Sequence, residues 1–233
     1  MNDKITCRGY TPSDKKEFSE SKLIILKKAQ SEIRWLLDKE YSIKSITEFV
    51  GNHYLLSKRQ RLALMRSTSS TTSIDARKIR EAFYCKEKTV NIDGFNLIIT
   101  LEIALSNSTL IKCMDGTIRD LAGLRGTYRL IDKTDRAIIL IGEKLKAMNV
   151  ASAVFYLDEP VSNSGGLKAK VLELLDNFNF DVSVELVKNA DSILKNKAYI
   201  ITTDAIILND CISWINLAND IVNDYGFKYI DLS

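Results

Sequence analysis

The stretch Thr89-Val90-Asn91-Ile92-Asp93-Gly94-Phe95-Asn96 decides the fold. Val90 and Ile92 alternate with polar neighbours, which predicts a short strand. The strand runs into an acid, a glycine and an amide, and apolar Leu97-Ile98-Ile99 then opens a helix-like run. Open α/β sheets bind ligands in the crevice beyond the C-terminal ends of their strands, so Asp93 is expected there. Gly94 reads as the residue that lets the backbone turn sharply and leaves space for a ligand. Asn96 both donates and accepts hydrogen bonds and is expected to hold Asp93 in one rotamer. An Asp-Gly turn with no further role would carry the same residues.

Downstream the same texture repeats. Leu110-Ile111 with Cys113-Met114 predicts a second strand ending at Asp115-Gly116, and Arg119-Asp120 follows in a Gly-rich stretch. A helix is expected over 136–148, and Ala153-Val154-Phe155-Tyr156-Leu157 reads as a buried strand ending in Asp158. Ser162-Asn163-Ser164-Gly165-Gly166 leads into a helix over 167–177. Strands follow at 182–187 and at 198–201, the latter ending in Thr202-Thr203-Asp204. A helix over 210–225 and a strand over 228–232 close the chain. Strands alternating with helices predict a three-layer, mainly parallel α/β domain over 88–233.

Upstream, residues 1–80 read as a small all-helical module. Helices are expected over 14–40, 42–50 and 58–66, with Gly51-Asn52 as a helix stop and Ser57 as an N-cap. Helix, turn and basic helix resemble a helix-turn-helix corner, in which Lys58, Arg59, Arg61 and Arg66 would meet nucleic acid. The run Ser67-Thr68-Ser69-Ser70-Thr71-Thr72-Ser73 reads as a linker or exposed loop.

The module is also the basic part of the molecule. Residues 1–80 hold 17 Lys and Arg against 9 Asp and Glu, whereas residues 81–233 hold 16 against 21. A basic front joined to an acidic back suggests one part that holds a polyanion and another that acts on it. The four cysteines are scattered without a CxxC pair, and with a single histidine they argue against a Cys/His zinc site. No apolar run is long enough to span a bilayer and the first residues lack a signal-peptide core, so a cytoplasmic protein is expected.

Asp93, Asp158 and Asp204 each follow a predicted parallel strand, and Asp115 follows the second strand. Acids at such positions converge on one sheet edge. Clustered carboxylates repel unless a cation compensates them, and hard oxygen ligands suit Mg²⁺ or Mn²⁺. Such ions activate water for attack on phosphate. The turn Ser162, Asn163, Ser164 and Gly165 at a helix N-terminus is a candidate phosphate cradle, although it lacks the Walker A order.

Two resemblances add to this reading. Arg8-Gly9-Tyr10, Trp35-Leu36-Leu37-Asp38, Phe49-Val50-Gly51-Asn52 and Leu56-Ser57-Lys58-Arg59-Gln60-Arg61 resemble the prokaryotic family of domain of unknown function 434, whose members carry a second domain similar to this chain from Val90 onward. Ile92-Asp93-Gly94-Phe95-Asn96 is similar to the opening strand of PIN-like nucleases, especially their NYN branch, and Thr202-Thr203-Asp204 fits a later Thr/Ser-Asp strand end of that superfamily. This second resemblance implies a Rossmann-like sheet and a Mg²⁺-bound acidic cluster that hydrolyses RNA. Asp93 and Asp204 carry over, Asp158 matches a middle acid best, and Asp115 and Asp120 match it less well. The insertion over 107–130 departs from the superfamily; its Arg119, Arg125 and Arg129 would contact substrate or pair with the acids.

Three functions are therefore set against one another. The first is a metal-dependent nuclease acting on RNA, with Asp93 and Asp204 on the metal, Asp158 or Asp115 completing the site, and Asn96 and Thr203 in support. The second is a nucleic-acid-binding or regulatory protein without catalysis. The third is an enzyme of small phosphorylated molecules or nucleotides.

Overall fold

The computed structural model describes residues 6–123 and 126–233. Its helical front comprises α1 (Asp14–Glu17), α2 (Glu20–Leu37), α3 (Ile43–His53), α4 (Lys58–Ser67) and α5 (Thr71–Arg80). The expected first helix is two, because Ser19 adopts an extended backbone and its carbonyl starts a new helix by accepting from Lys22 and Leu23 N–H groups. Ser57 caps α4 in a reciprocal capping box with Gln60. Gly51 is not a helix stop. It lies within α3, where an added Cβ would come within 2.7 Å of Arg61 Nε, so its smallness admits the Arg61 side chain.

The run 67–73 is not an exposed linker. Ser67, Thr68 and Ser69 are buried, and Ser70 caps α5 through Ser73 N. Their hydroxyls find local partners: Thr68 donates to the Leu64 carbonyl, and Ser67 accepts from Gln30. Satisfied hydroxyls can be buried where unsatisfied ones cannot.

The α/β part runs β1 (Thr89–Asp93), α6 (Gly94–Leu105), β2 (Leu110–Lys112), β3 (Ile118–Asp120), α7 (Thr134–Ala147), β4 (Ser152–Asp158), α8 (Ser164–Leu175), β5 (Asp181–Val187), α9 (Ala190–Leu194), β6 (Ile200–Ile201), α10 (Ala205–Asp210), α11 (Leu217–Asp224) and β7 (Ile230–Asp231). Four strands form a parallel sheet in the order β5-β4-β1-β6. Alternate residues of its central strands face two cores. Val90, Ile92, Ala153, Phe155 and Leu157 pack with α6, α7, α8 and α11, whereas Tyr156 and Ile200 pack with α9, α10 and Trp214. The sheet is thus covered on both faces, as a parallel sheet requires.

The remaining strands correct the expectation of one sheet. β2 and β3 form an antiparallel hairpin, with Gly116 at φ +81° in its turn, and β7 joins β2 in parallel. This second sheet packs Ile111, Leu121 and Leu232 against Leu26, Ile33 and Leu64 of the helical front. Gln30 Nε2 donates to the Leu232 carbonyl at 2.8 Å and ties the last strand to α2. The expected helix over 210–225 is shorter than expected: its second half forms α11, whereas α10 starts directly after Asp204 and residues 211–216 run irregularly, pairing Trp214 with Glu81 and Ile200.

Among the described residues, no helix is long and apolar enough to cross a membrane.

Candidate functional site

In the parallel sheet, chain order reverses between β1 and β6, because β4 and β5 lie on one side of β1 and β6 on the other. A crevice opens at such a switch point, beyond the strand C-termini. Asp93 ends β1 and Asp204 follows β6, so the two acids flank the switch point. They line a cleft of about 510 Å³ together with Asn96, Asp158, Thr203, Arg66, Arg119 and Asp120.

Each acid is held by backbone and hydroxyl groups. Asp93 accepts from Thr202 Oγ1 at 2.9 Å and from its own helix at Asn96 N–H, 3.4 Å. Asp204 caps α10, accepting from Ile206 N–H at 2.7 Å. Neither forms an ion pair within the described residues. Burial, then the Asp204 charge, push the Asp93 carboxyl up to about 7, against the pull of its hydrogen bonds. Asn96 holds Asp93 only through its backbone. Its side-chain oxygen instead accepts from Thr203 N–H and Oγ1, at 2.9 and 3.0 Å. Gly94 does not make room for a ligand, and its φ is not positive. A Cβ there would come within 2.6 Å of Leu157 Cδ2 and 3.2 Å of the Tyr156 carbonyl, so its absence lets α6 lie against β4.

Asp158 reaches the cleft from the end of β4 and accepts from Ala190 N–H at 2.9 Å. Beside it stands an acid that the strand-end pattern misses. Asp191, in the first turn of α9, is raised by burial and then by the Asp204 and Asp158 charges. Its signal in the sequence was the parallel strand β5 ending just before Lys188-Asn189-Ala190-Asp191; the acid lies one short loop beyond the strand end.

Asp115 does not share this edge. It sits in the hairpin turn of the second sheet, where Arg77 and Arg119 both donate to its Oδ2. Burial favours its neutral form, but Arg119, Thr117 and Arg77 together more than offset this and hold the carboxyl below its ordinary value. A carboxylate spent on two guanidinium groups is not available to a metal. Arg119 is equally committed. Its Nε donates to the Thr203 carbonyl at 2.7 Å and its other nitrogens meet Arg66 O and Asp115. It buttresses the Thr203 loop while lining the cleft. Arg125 lies outside the described residues.

Asp120 pairs with Arg66 at 3.2 Å at the mouth of the cleft, and burial raises its carboxyl in spite of that partner. Of the other basic candidates, Arg59 is bound to Asp14 and to the Leu121 carbonyl, and Arg61 to the Leu56 carbonyl at 2.9 Å. Lys58 is exposed. The Ser162–Gly165 turn does not line the cleft; Ser164 Oγ donates to the Glu159 carbonyl, and Asn163 enters α8 at φ 66°.

The donors around Asp93 and Asp204 are all oxygens, which suits a hard divalent cation. Among the described residues, no three Asp, Glu, His or Cys side chains are arranged as a ready-made metal cage. Two carboxylates supplemented by substrate oxygens and water are the kind of site that Mg²⁺ uses.

Residues 83–220 match the family model described as domain of unknown function DUF5616, and residues 25–80 match that of the protein of unknown function DUF434. The chain belongs to the DUF5616 family, with a DUF434 segment before it. An uncharacterised protein of Methanocaldococcus jannaschii is 38% identical over 185 residues, covering 78% of this chain and 88% of that protein. No solved structure matches the chain. Asp93, Asp158, Asp191 and Asp204 all fall in the DUF5616 segment, whereas Met65 and Arg66 reach the same cleft from the DUF434 segment. The two matched segments therefore build one site.

Proposed function

We propose that this chain is a PIN-like, metal-dependent nuclease that hydrolyses phosphodiester bonds of RNA at the β1/β6 switch point. The observation that carries this reading is the pair Asp93 and Asp204: two carboxylates at adjacent parallel strand ends, neither in an ion pair among the described residues, and one held up to about 7. Burial raises Asp93 first and the Asp204 charge adds to it, and a divalent cation would offset both. Asp93 and Asp204 would hold Mg²⁺ or Mn²⁺, with Thr203 beside them and Asp158 and Asp191 adding negative potential from β4 and α9.

The bound ion supplies charge neutralisation and a more acidic water. The chain's own residues position the rest. Asn96 and Arg119 fix the Thr203 loop from two sides, so Asp204 keeps its place when a substrate enters. Arg66, partly exposed at the mouth, offers a cation to a non-bridging phosphate oxygen. Hydrolysis adds water across the P–O bond: the water oxygen bonds to phosphorus, the water's proton passes to a carboxylate of the cluster, and that proton is returned to the ester oxygen, which leaves as an alcohol.

The test is cleavage of single-stranded RNA and DNA with Mn²⁺ by wild type, Asp93→Asn and Asp204→Asn. Metal-dependent cleavage lost in both variants is expected. Full metal-dependent cleavage by Asp93→Asn overturns the assignment. One observation favours a second reading, a nucleic-acid-binding protein without catalysis: the missing third ligand among the described residues. That reading predicts RNA binding that survives loss of both acids.

A further inference from the structure

A second groove lies on the helical front, between α3 and α4. It measures about 460 Å³ and is lined by Lys44, Lys58, Arg61, Thr47 and Met65, with Glu48 as its one acid. Met65 also lines the acidic cleft, so the two depressions meet at this exposed side chain. Neither α3 nor α4 has an acid in its first turn, and each carries an exposed lysine there. A cation at a helix N-terminus opposes the helix dipole and costs stability, a cost that a bound anion reverses. Arg61 is anchored by the Leu56 and Glu48 carbonyls, which fixes its positive charge in the groove wall. The Thr47 hydroxyl is buried without a hydrogen-bond partner among the described residues. An orphaned hydroxyl beside three cations is a donor waiting for an acceptor.

We propose that this groove is a remote phosphate subsite for single-stranded RNA, built on Lys44 and Lys58, and that the strand crosses Met65 between it and the acidic cleft. The inference deepens the nuclease reading and rests on it for the direction of the strand. The unbranched, polarisable Met65 side chain at the saddle gives a base or sugar an adaptable apolar contact. The groove thus extends the positive charge of Arg66 into a surface that retains a polyanion beside carboxylates that would repel it.

The experiment measures fluorescence anisotropy of a labelled 12-nucleotide RNA on the full chain across a salt series, in an Asp93→Asn background that prevents cleavage. Lys44→Ala/Lys58→Ala is compared with Lys146→Ala/Lys188→Ala, which removes two exposed lysines outside the groove. Two lost phosphate contacts should weaken binding and flatten the slope of log K against log salt by about 1.4, whereas the control pair leaves the slope unchanged. Equal slopes for both double variants overturn the subsite. Failure of the nuclease reading is seen separately: if wild type cleaves no RNA yet the groove variant flattens the slope, the subsite stands without the catalysis. If wild type cleaves and the slopes are equal, the catalysis stands without the subsite.

Discussion

The side-chain oxygen of Asn96 accepts from both the backbone N–H and the hydroxyl of Thr203, at 2.9 and 3.0 Å. One amide thereby couples the first turn of α6, which Asp93 caps, to the loop that carries Asp204. Asn96→Ala removes both acceptances and leaves the Thr203 N–H to find water. Each such bond contributes about 1 kcal/mol, so a loss of roughly 1–3 kcal/mol in denaturant unfolding is expected. Mn²⁺ binding by calorimetry should weaken by more than that stability loss explains, because the Asp204 loop is no longer fixed. Unchanged Mn²⁺ affinity in a destabilised variant would make Asn96 a purely structural residue.

The raised carboxyl of Asp93 makes a signed prediction about pH. Its folded value of about 7 lies above the unfolded value near 4, so between these the folded state binds more protons. Stability from this group is therefore full below pH 4, falls as pH rises, and is gone above pH 7. Asp93→Asn keeps a neutral side chain at all pH values. It should be more stable than wild type at pH 8 by a few kcal/mol, and the difference should shrink toward pH 4. A divalent cation competes with the same proton, so Mn²⁺ affinity should rise with pH through 7 and removal by chelator should restore the proton. Unfolding curves of both proteins at pH 4, 6 and 8 check this.

The sequence placed the parallel strands and their acids because a buried strand followed by a turn has a local signature. Val90 and Ile92, and the run Ala153–Leu157, carry it without reference to the rest of the chain. It did not place Asp115, because Leu110–Met114 reads the same in any sheet. Only the partner strand β7, more than a hundred residues later, decides which sheet it joins. Charge was legible as a count but not as an allocation. Arg59, Arg61, Arg77 and Arg119 look alike in the sequence, yet each is bound to a carbonyl or carboxylate of the fold. The serine and threonine run 67–73 failed for the same reason: its burial depends on Gln30 and Arg77, which lie elsewhere in the sequence.

Arg77, Asp115 and Arg119 form a buried group in which one carboxylate serves two cations. Asp115→Asn removes the one carboxylate that forms an ion pair with both guanidinium groups. Breaking a buried pair by removing one partner costs about 3–5 kcal/mol, which is a large share of a domain's stability. Because Asp115 is held below its ordinary value, its contribution is present above the unfolded value near 4 and is lost as pH falls through its folded value. The destabilisation by Asp115→Asn should thus be largest at neutral pH and should diminish in acid. A constant difference from pH 7 to pH 3 would show that Asp115 is not the charge that holds the group together.

Gly94→Ala tests whether that glycine serves packing or ligand approach. Its Cβ would meet Leu157 Cδ2 at 2.6 Å, a flexible side chain, and the Tyr156 carbonyl at 3.2 Å, a fixed one. Leu157 is fully buried, so it can move only by disturbing the core between β4 and α6. Overpacking of this kind costs about 1–3 kcal/mol. The helix gains a little from alanine, which offsets less than 1 kcal/mol of that. Thermal unfolding should therefore show a net loss for Gly94→Ala, and Gly94→Ala/Leu157→Ala should not add the two single effects, because the second change removes the atom the first one strikes. Strict additivity in that double-mutant cycle would place the cost of the new methyl at the Tyr156 carbonyl and return the question of what approaches Gly94 to the cleft side.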